Sequence, residues 1–245
     1  SRGLGDVYKR QVKNRVELRL YHRSSGNYPF RQSMDYSLGR YYCAPLTPHL
    51  SGRQKASKRA MDISLSLLGL ILGIPLFVIC ILGIKSTSKG PILYTQERIG
   101  LHMKPFLIYK FRSMIVDAER DGPQLSSEKD HRITSWGQRM RKWRLDELPQ
   151  LWNVLKGDMS LVGPRPERAF YVQQIQEKEA LHARIYITKP GLTSLGMVKF
   201  GYARNLEEIM ERMRYDMIYL DNQGIFFDFQ ILLFTIRTVI LGKGI

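Results

Sequence analysis

An acid pair set in a basic stretch is the strongest candidate for chemistry in this sequence. Asp146 and Glu147 are adjacent, follow three nearby basic residues and precede Pro149. Because proline is tolerated in the first turn of a helix, we predict that Asp146 is the N-cap residue or its neighbour. Free N–H groups and nearby cations stabilise an ionised carboxylate there. Such a carboxylate can be a nucleophile toward a phosphoanhydride or a Mg²⁺ ligand; alternatively, Asp146 only caps the helix and Glu147 is solvated.

Two further segments carry cations suited to phosphate groups. In GDMSLVGPRPE, residues 157–167, Arg165 lies between two prolines that hold its backbone stiffly, and Asp158 is a further carboxylate. A rigidly held guanidinium suits bidentate phosphate binding, although a solvated arginine in a proline-bounded turn fits the pattern equally well. In YKFRSM, Lys110 and Arg112 would share one face of a strand, either as a phosphate-binding pair or as part of structural salt bridges.

Most of the familiar catalytic motifs are absent from the sequence. There is no P-loop and no GxGxxG, HExxH, CxxC or DxD motif, and the five histidines have no ligand spacing. These absences exclude many nucleotide-binding and metal-dependent enzyme classes. The segment TKPGLTS, residues 188–194, contributes Lys189 and Thr193 but taken alone indicates only a turn.

Composition and charge predict a folded, basic protein with an anionic partner. The 245 residues are 44% hydrophobic, which is enough for a packed core, and the formal net charge is +16. Nucleic acid, an anionic lipid surface and a phosphorylated substrate all fit this charge. Two cysteines are too few for a disulfide framework. Because residue 1 is Ser rather than Met, we expect the chain to be a fragment or a processed form.

One apolar run is long enough to enter a membrane. Residues 63–84 contain no charge, but Gly73 and Pro75 interrupt them, and a proline inside a helix kinks its axis. Lysine or arginine residues flank both ends, and the positive-inside rule favours both flanks on the cytoplasmic side. We therefore predict a re-entrant helical hairpin over residues 58–90. A kinked single-pass helix and a buried core helix are the alternatives.

Residues 91–245 read as a second unit, a cytoplasmic domain with interfacial helices. Residues 92–94 and 106–111 predict a β-hairpin, and residues 138–156 predict two helical pieces that meet near residue 145. An apolar stripe over residues 206–220 indicates a helix in the core or on a membrane surface, and residues 225–240 suit an interface. The predicted fold class is α+β, mainly helical with short strands.

The first 57 residues form a third region, which we expect to be a basic and loosely ordered arm. Residues 1–60 contain thirteen Lys or Arg and three Asp or Glu, without clear periodicity. A solvated leader without function explains this composition as well as a functional arm does.

The order of the segments resembles the bacterial sugar transferase family, the monotopic polyprenyl-phosphate phosphoglycosyl transferases. A proline-broken apolar run is followed by KFRSM, LDELPQLWNVLKGDMSLVGPRPE and KPGLT. The resemblance covers about residues 58–244, and LDELPQLWNVLKGDMSLVGPRP is close to a family signature.

The resemblance implies an enzyme that transfers a sugar-1-phosphate from a UDP-sugar to polyprenyl phosphate, normally undecaprenyl phosphate. The products would be a polyprenyl diphosphosugar and UMP, and the reaction would initiate exopolysaccharide, capsule, O-antigen or other glycan assembly. Asp146 would be the nucleophile, forming a phosphosugar-aspartyl enzyme, and Glu147 would position or deprotonate the lipid phosphate in the second half-reaction. Mg²⁺ is required in the family, and Asp146 and Asp158 are its expected ligands.

The same resemblance implies a substrate site, a location and partners. The expected substrate-binding residues are Lys110, Arg112, Arg141, Arg165, Lys189 and Thr193. The expected location is the cytoplasmic face of the bacterial inner membrane, where the partners are the UDP-sugar, polyprenyl phosphate and membrane lipid. We expect no nucleic-acid partner, since no binding motif is present, and whether the chain forms a homodimer stays open.

Two departures from the family pattern limit which family properties can be inferred for this chain. Ile74 precedes the helix-breaking proline where many members have serine, which predicts a shallower break. The segment SLGMVKFGYARN replaces a family segment similar to QVNGR, so the preference for sugar and nucleotide is not predicted. A membrane adaptor that kept the fold and lost turnover is the alternative function.

Overall fold

The computed structural model describes residues 50–120, 122–125 and 130–242. Of the expected basic arm, residues 1–49 lie outside the described residues. Residues 52–57, which we also assigned to that arm, instead form the first turns of a helix. The reason is a capping box, in which Ser51 and Gln54 each accept a hydrogen bond from the other's backbone N–H.

Two helices meet at a bend where the sequence predicts a break. Helix α1 is Gly52–Leu72 and helix α2 is Ile74–Thr87, and the pair is bent by 59° at Gly73. Pro75 lies in the first turn of α2, where its missing N–H removes no helical hydrogen bond. Among the described residues no single helix is long and apolar enough to cross a membrane, whereas the bent pair together satisfies both criteria.

Short strands and helices follow this bent pair of helices. Strands β1, Leu93–Ile99, and β2, Pro105–Phe111, pair antiparallel, as the sequence predicts. Helices α3, Ser135–Lys142, and α4, Gln150–Lys156, are separated by a 3₁₀ turn at Leu145–Glu147. The two predicted helical pieces and their meeting point near residue 145 are therefore confirmed.

The C-terminal half is built around a second, parallel strand pair. Strand β3, Ser160–Val162, pairs with strand β4, Gly191–Thr193. The helices of this half are α5, Ala169–Lys178; α6, Leu195–Lys199; α7, Leu206–Asp221; and α8, Ile225–Ile240. The architecture is α+β and mainly helical with short strands, which confirms the predicted class.

Helices α7 and α8 use their apolar residues differently. The stripe of α7, which includes Ile209, Met213 and Met217, is buried in a core shared with α5 and the 3₁₀ residues that follow α5. Helix α8 instead leaves most of its apolar residues exposed, Phe226 and Phe229 among them. The stripe of α7 is therefore core, and the exposed face of α8 suits an interface.

Helix α1 is fixed to the domain by backbone acceptors and donors. The guanidinium of Arg59 donates to the carbonyl oxygens of Val154 and Leu155 in α4, at 2.6 and 2.7 Å. The carboxylate of Asp62 accepts the N–H of Leu161 in β3 at 2.9 Å. The first half of α1 is therefore part of the folded domain, while several apolar residues nearer the bend, Leu68, Ile71 and Leu72, are more than half exposed.

A buried ion pair adds to this attachment. The ammonium of Lys58 donates to the carboxylate of Asp228 at 2.6 Å and to the carbonyl oxygen of Val162 at 2.9 Å. Asp228 is fully buried in α8 and also accepts a hydrogen bond from the hydroxyl of Tyr219 at 2.7 Å. The ion pair between Lys58 and Asp228 therefore connects α1, β3 and α8.

Replacing Lys58 with methionine should destabilise the protein by about 3–5 kcal/mol, because it leaves the carboxylate of Asp228 buried without its cation. Thermal unfolding in detergent would measure the loss. Lys55→Met, at an exposed position in the same helix, is the matched control and should change the midpoint little. An equal midpoint for the two variants would show that the ion pair does not hold the hairpin to the domain.

Candidate active site

A cavity of about 480 Å³ lies between the β1–β2 hairpin and the 3₁₀ turn at residues 145–147. Its other walls come from residues 112–116 and from residues 200–204. Nine basic and three acidic side chains are among the described residues that line it. The basic residues are Arg98, Lys110, Arg112, Arg132, Arg141, Arg165, Arg168, Arg204 and Arg212, and the acidic residues are Glu119, Asp146 and Glu167. This charge favours a polyanionic ligand.

Asp146 lies in the 3₁₀ turn and lines this cavity. The expected helix-capping role is wrong, because α4 begins at Gln150 and its N-cap position is taken by Pro149. Arg144, directly before the turn, has φ 51° and ψ 24°, a left-handed conformation that is unfavourable for a residue with a Cβ. This conformation directs the chain into the turn that carries Asp146.

The carboxylate of Asp146 lines the cavity without a fixed partner among the described residues. Within the part of the chain that the structure describes, it accepts no hydrogen bond and has no cation within 4 Å. Burial and the charge of Glu147 raise its pKa, against the lowering effect of Lys110 and Arg141. A carboxylate without a fixed partner keeps its lone pairs available for a metal ion or an electrophile.

Glu147 is not among the residues that line the cavity and is the centre of a buried ion cluster. Its Oε1 accepts hydrogen bonds from Lys110 and Arg165, both at 3.0 Å, and its Oε2 accepts one from Arg144 at 3.3 Å. Burial alone would raise the pKa of Glu147, but the charges of Lys110 and Arg165 outweigh it and hold the pKa well below the usual range. Glu147 is therefore a fixed anion that orients two cavity cations.

Tyr202, which the sequence analysis did not single out, completes this cluster. Its ring lies 5.1 Å from the guanidinium carbon of Arg144 and 5.7 Å from that of Arg165, within cation–π range. It lines the cavity and belongs to the segment SLGMVKFGYARN, which departs from the family pattern. The departing segment thus contributes directly to the wall of the site.

Arg112 and Arg141 reach the cavity from two sides, next to Ser113. Arg112 lies just beyond the end of β2, and its Nη2 donates to the carbonyl and hydroxyl oxygens of Ser88 at 2.9 Å each. Arg141 donates through Nε to the hydroxyl of Ser113 at 2.9 Å. Together with Lys110 and Arg165, these are the four predicted phosphate-binding residues that the structure brings to Asp146.

The structure does not bring the other three predicted site residues to the cavity wall. Asp158 pairs with Lys156 at 3.0 Å beyond the end of α4. Thr193 is buried, and its hydroxyl lies 2.7 Å from that of Thr235. Lys189 is likewise not among the lining residues. The stretches around Asp158, Lys189 and Thr193 therefore support the structure around the site, and these three residues do not line the cavity.

The KPGLT segment supports the loop that carries Arg165. The N–H of Gly191 donates to the carbonyl of Pro164 at 2.9 Å, and the N–H of Gly163 donates to the carbonyl of Thr193 at 3.1 Å. The backbones approach so closely that a Cβ on Gly191 would lie 2.2 Å from the nitrogen of Gly163. Only glycine fits at position 191, so the backbone packing alone accounts for the Pro-Gly sequence and no ligand contact is needed to explain it.

Asp216 is a second residue that sequence reasoning missed. It is fully buried in α7, and its carboxylate accepts the backbone N–H of Arg165 at 3.2 Å and that of Gly196 at 2.8 Å. Burial raises the pKa of this carboxyl to about 6. The sequence signal that could have identified Asp216 is the presence of a carboxylate on the apolar face of α7, between Met213 and Met217.

The donor set fits Mg²⁺ only in part. No group of three or more His, Cys, Asp and Glu side chains that could hold a metal ion occurs among the described residues. Mg²⁺ commonly keeps several waters and binds one or two carboxylates together with substrate phosphates. Asp146 can supply one such carboxylate beside a polyanion, whereas Asp158 lies elsewhere. The residues thus fit an ion that arrives with a phosphorylated substrate.

Comparison with known proteins matches the chain to a family of bacterial sugar transferases. The family profile described as bacterial sugar transferase matches residues 53–242. A UDP-N-acetylgalactosamine-undecaprenyl-phosphate N-acetylgalactosaminephosphotransferase of Aeromonas hydrophila is 39% identical over 76% of this chain and 44% of its own length. A UDP-glucose:undecaprenyl-phosphate glucose-1-phosphate transferase of Klebsiella pneumoniae is 36% identical over 80% of this chain and 42% of its own length.

A shorter relative matches over most of its length. The uncharacterized sugar transferase EpsL of Bacillus subtilis (strain 168) is 41% identical over 69% of this chain and 79% of its own length. The chain thus spans less than half of the Aeromonas and Klebsiella relatives but most of this one. The two longer relatives are named for different sugars, N-acetylgalactosamine and glucose.

Proposed function

Since the chain belongs to the bacterial sugar transferase family, we propose that it transfers a sugar-1-phosphate from a UDP-sugar to undecaprenyl phosphate. The products are UMP and an undecaprenyl diphosphosugar, which starts the assembly of a surface polysaccharide. The names of the Aeromonas and Klebsiella relatives support this reaction class. The observation that carries the proposal is the buried carboxylate of Asp146, which faces a cavity lined by nine basic residues.

In the first half-reaction, Asp146 is the nucleophile. One carboxylate oxygen forms a bond to the sugar-linked phosphorus, and the bond from that phosphorus to the bridging oxygen breaks, so UMP leaves. The phosphosugar is then held on Asp146 as an acyl phosphate. Lys110 and Arg165, which Glu147 fixes in place, offset the charge of the diphosphate and of the departing UMP.

In the second half-reaction, an oxygen of the lipid phosphate attacks the same phosphorus. The bond to Asp146 breaks, which restores the carboxylate and yields the lipid diphosphosugar. Of the two roles expected for Glu147, positioning is favoured over proton removal, because all three of its hydrogen bonds come from cations. A phosphate oxygen that is already ionised needs no base.

Mg²⁺ is part of this proposal, with Asp146 as its protein ligand. The ion would neutralise charge on the diphosphate when bound. Asp158 does not contact the cavity, so we do not extend the ligand set to it. Lys110, Arg112, Arg141 and Arg165 bind and orient the phosphates directly.

We also propose that α1 and α2 form a re-entrant hairpin in the cytoplasmic leaflet of the inner membrane. The bend at Gly73, the exposed apolar residues around it and the basic residues that flank both ends of the uncharged run 63–84 support this topology. The exposed apolar face of α8 would lie at the membrane surface. The reacting carboxylate would then face the cytoplasm, where UDP-sugars are available.

A cysteine introduced at Lys55 and one at Lys89 should be labelled from the same side of sealed vesicles, because a hairpin returns both ends to one face. Both positions are exposed, and Cys43→Ser with Cys80→Ala removes the native thiols. Labelling of each single-cysteine variant with a membrane-impermeant maleimide would report the side on which that position lies. Labelling from opposite sides would contradict the hairpin and indicate a spanning helix.

Release of UMP from a panel of UDP-sugars tests the proposed function. With Mg²⁺ and undecaprenyl phosphate, the detergent-solubilised protein should release UMP from at least one panel member, and EDTA should stop the release. The UDP-sugar that gives the fastest UMP release would identify the sugar that the enzyme transfers. No release from any UDP-sugar or other nucleotide sugar would favour the inactive adaptor.

A further inference from the structure

Three exposed apolar side chains line one edge of an otherwise basic cavity. Leu93, Ile115 and Val116 are 46%, 47% and 60% exposed, and all three face the cavity. We call them the apolar rim. A polyanionic ligand alone gives no reason for large apolar side chains at the edge of its site, so the rim indicates a ligand with an apolar part.

The rim is held by regular backbone contacts. The N–H of Ile115 donates to the carbonyl of Arg132 at 2.9 Å, and Met114 pairs with Ile133 in an isolated bridge. Leu93 is the first residue of β1 and pairs with Phe111. The exposure of these side chains is therefore fixed by the fold.

One residue of the rim, Val116, lies next to the segment that follows α2. Gly90, three residues after α2, has φ 120°, and a Cβ there would come within 3.1 Å of Val116 Cγ2 and 2.3 Å of Arg112 Nη1. Arg112 in turn binds Ser88, the residue that ends α2. An apolar chain that leaves the membrane along α2 would therefore meet an apolar side chain of the rim, Val116, beside a cation of the cavity, Arg112.

An apolar side chain next to a cation matches a lipid phosphate, which is apolar at one end and anionic at the other. We propose that the apolar rim binds the first isoprene units of the lipid phosphate acceptor and thereby directs its phosphate toward Asp146. This inference rests on the proposed function and adds a binding site for the acceptor's hydrocarbon. The nucleotide of the sugar donor would then occupy the other, more polar end of the cavity.

The experiment separates the two half-reactions in the full chain. Exchange of labelled UMP into the UDP-sugar needs no lipid and reports the first half-reaction alone. Transfer to dimethylallyl phosphate and to farnesyl phosphate, with one and three isoprene units, reports the acceptor site. The variant Ile115→Ser/Val116→Ser removes apolar contact area, and Leu107→Ser, 48% exposed on β2 but outside the cavity, is the matched control.

The wild-type protein should have a lower KM for farnesyl than for dimethylallyl phosphate. In the double variant this preference should shrink by about tenfold or more, since each methylene in an apolar site contributes to such discrimination. UMP exchange and the control variant should stay near wild type. A ratio of KM values does not depend on the fraction of active protein, so partial misfolding cannot imitate the result.

Other outcomes overturn the inference in distinguishable ways. An unchanged KM ratio with normal exchange would remove the rim from acceptor binding and leave the proposed function intact. Loss of exchange in the double variant would assign the rim to the donor or to the fold. A wild-type protein that neither exchanges UMP nor transfers the phosphosugar would overturn the proposed function and this inference together.

Discussion

Replacing Asp146 with asparagine is expected to lower phosphosugar transfer by about 10³-fold or more, the scale on which loss of a nucleophile acts. The amide has nearly the same shape as the carboxylate but cannot form the acyl phosphate. Because no hydrogen bond or ion pair to Asp146 occurs among the described residues, the substitution should leave the fold undisturbed. UMP release and UMP exchange, both measured with the preferred UDP-sugar, should fall together.

The control for this variant is the same chemical change at an exposed aspartate. Asp117 lies outside the cavity wall, and Asp117→Asn should retain activity near wild type. The intact wild-type protein should gain the mass of the phosphosugar when UDP-sugar is supplied without lipid, and Asp146→Asn should not. Activity of Asp146→Asn above a few per cent of wild type would remove Asp146 as the nucleophile.

Replacing Glu147 with glutamine should have the second largest effect, about 10²-fold or more on both half-reactions. The neutral amide cannot balance the charges of Lys110, Arg144 and Arg165, and its NH₂ group would face one of the donors that the carboxylate now accepts from. Both cavity cations would lose their fixed positions, so binding of the diphosphate should weaken and KM for the UDP-sugar should rise.

The two half-reactions distinguish this positioning role from a proton-transfer role. A base for the lipid phosphate would act only in the second half-reaction, so its loss would spare UMP exchange. We expect exchange and transfer to fall by similar factors in Glu147→Gln. Glu119→Gln, a change in the more distant cavity carboxylate that pairs with Arg168, should affect exchange less. Retained exchange with lost transfer would restore the acid–base role.

Local patterns in the sequence were enough to predict most elements of the fold. The β1–β2 hairpin, the two helical pieces around residue 145 and the break near Pro75 depend on turn residues, periodicity and proline geometry, which act over a few residues. The start of α1 was also readable, from Ser51 and Gln54, but the basic composition of the flanking residues obscured it. The mean charge of a segment says little about whether it is helical.

The sequence could predict only those residues of the candidate site whose role is visible from their neighbours in the chain. Asp146 was predicted as a candidate for chemistry and does line the cavity, but its expected position at a helix cap was wrong, since a 3₁₀ turn intervenes before α4. The partners of Glu147 include Lys110, which is 37 residues away in the chain, and only the folded chain brings them together. Tyr202 was missed for the same reason, whereas Asp216 could have been noticed as a carboxylate on the apolar face of α7.

The contacts between α1 and α4 have a consequence for the position of Asp146. Arg59 donates to carbonyls near the last turn of α4, whereas a Cβ on Gly69, closer to the bend, would lie 3.1 Å from Cδ1 of Leu151 in the first turn. Helix α4 therefore runs along α1 in the opposite direction, and the turn with Asp146, just before α4, lies toward the bend at Gly73. In the topology that we propose, a shift of α1 toward or away from the bilayer would carry Asp146 with it, because α4 cannot slide along α1 without breaking both contacts.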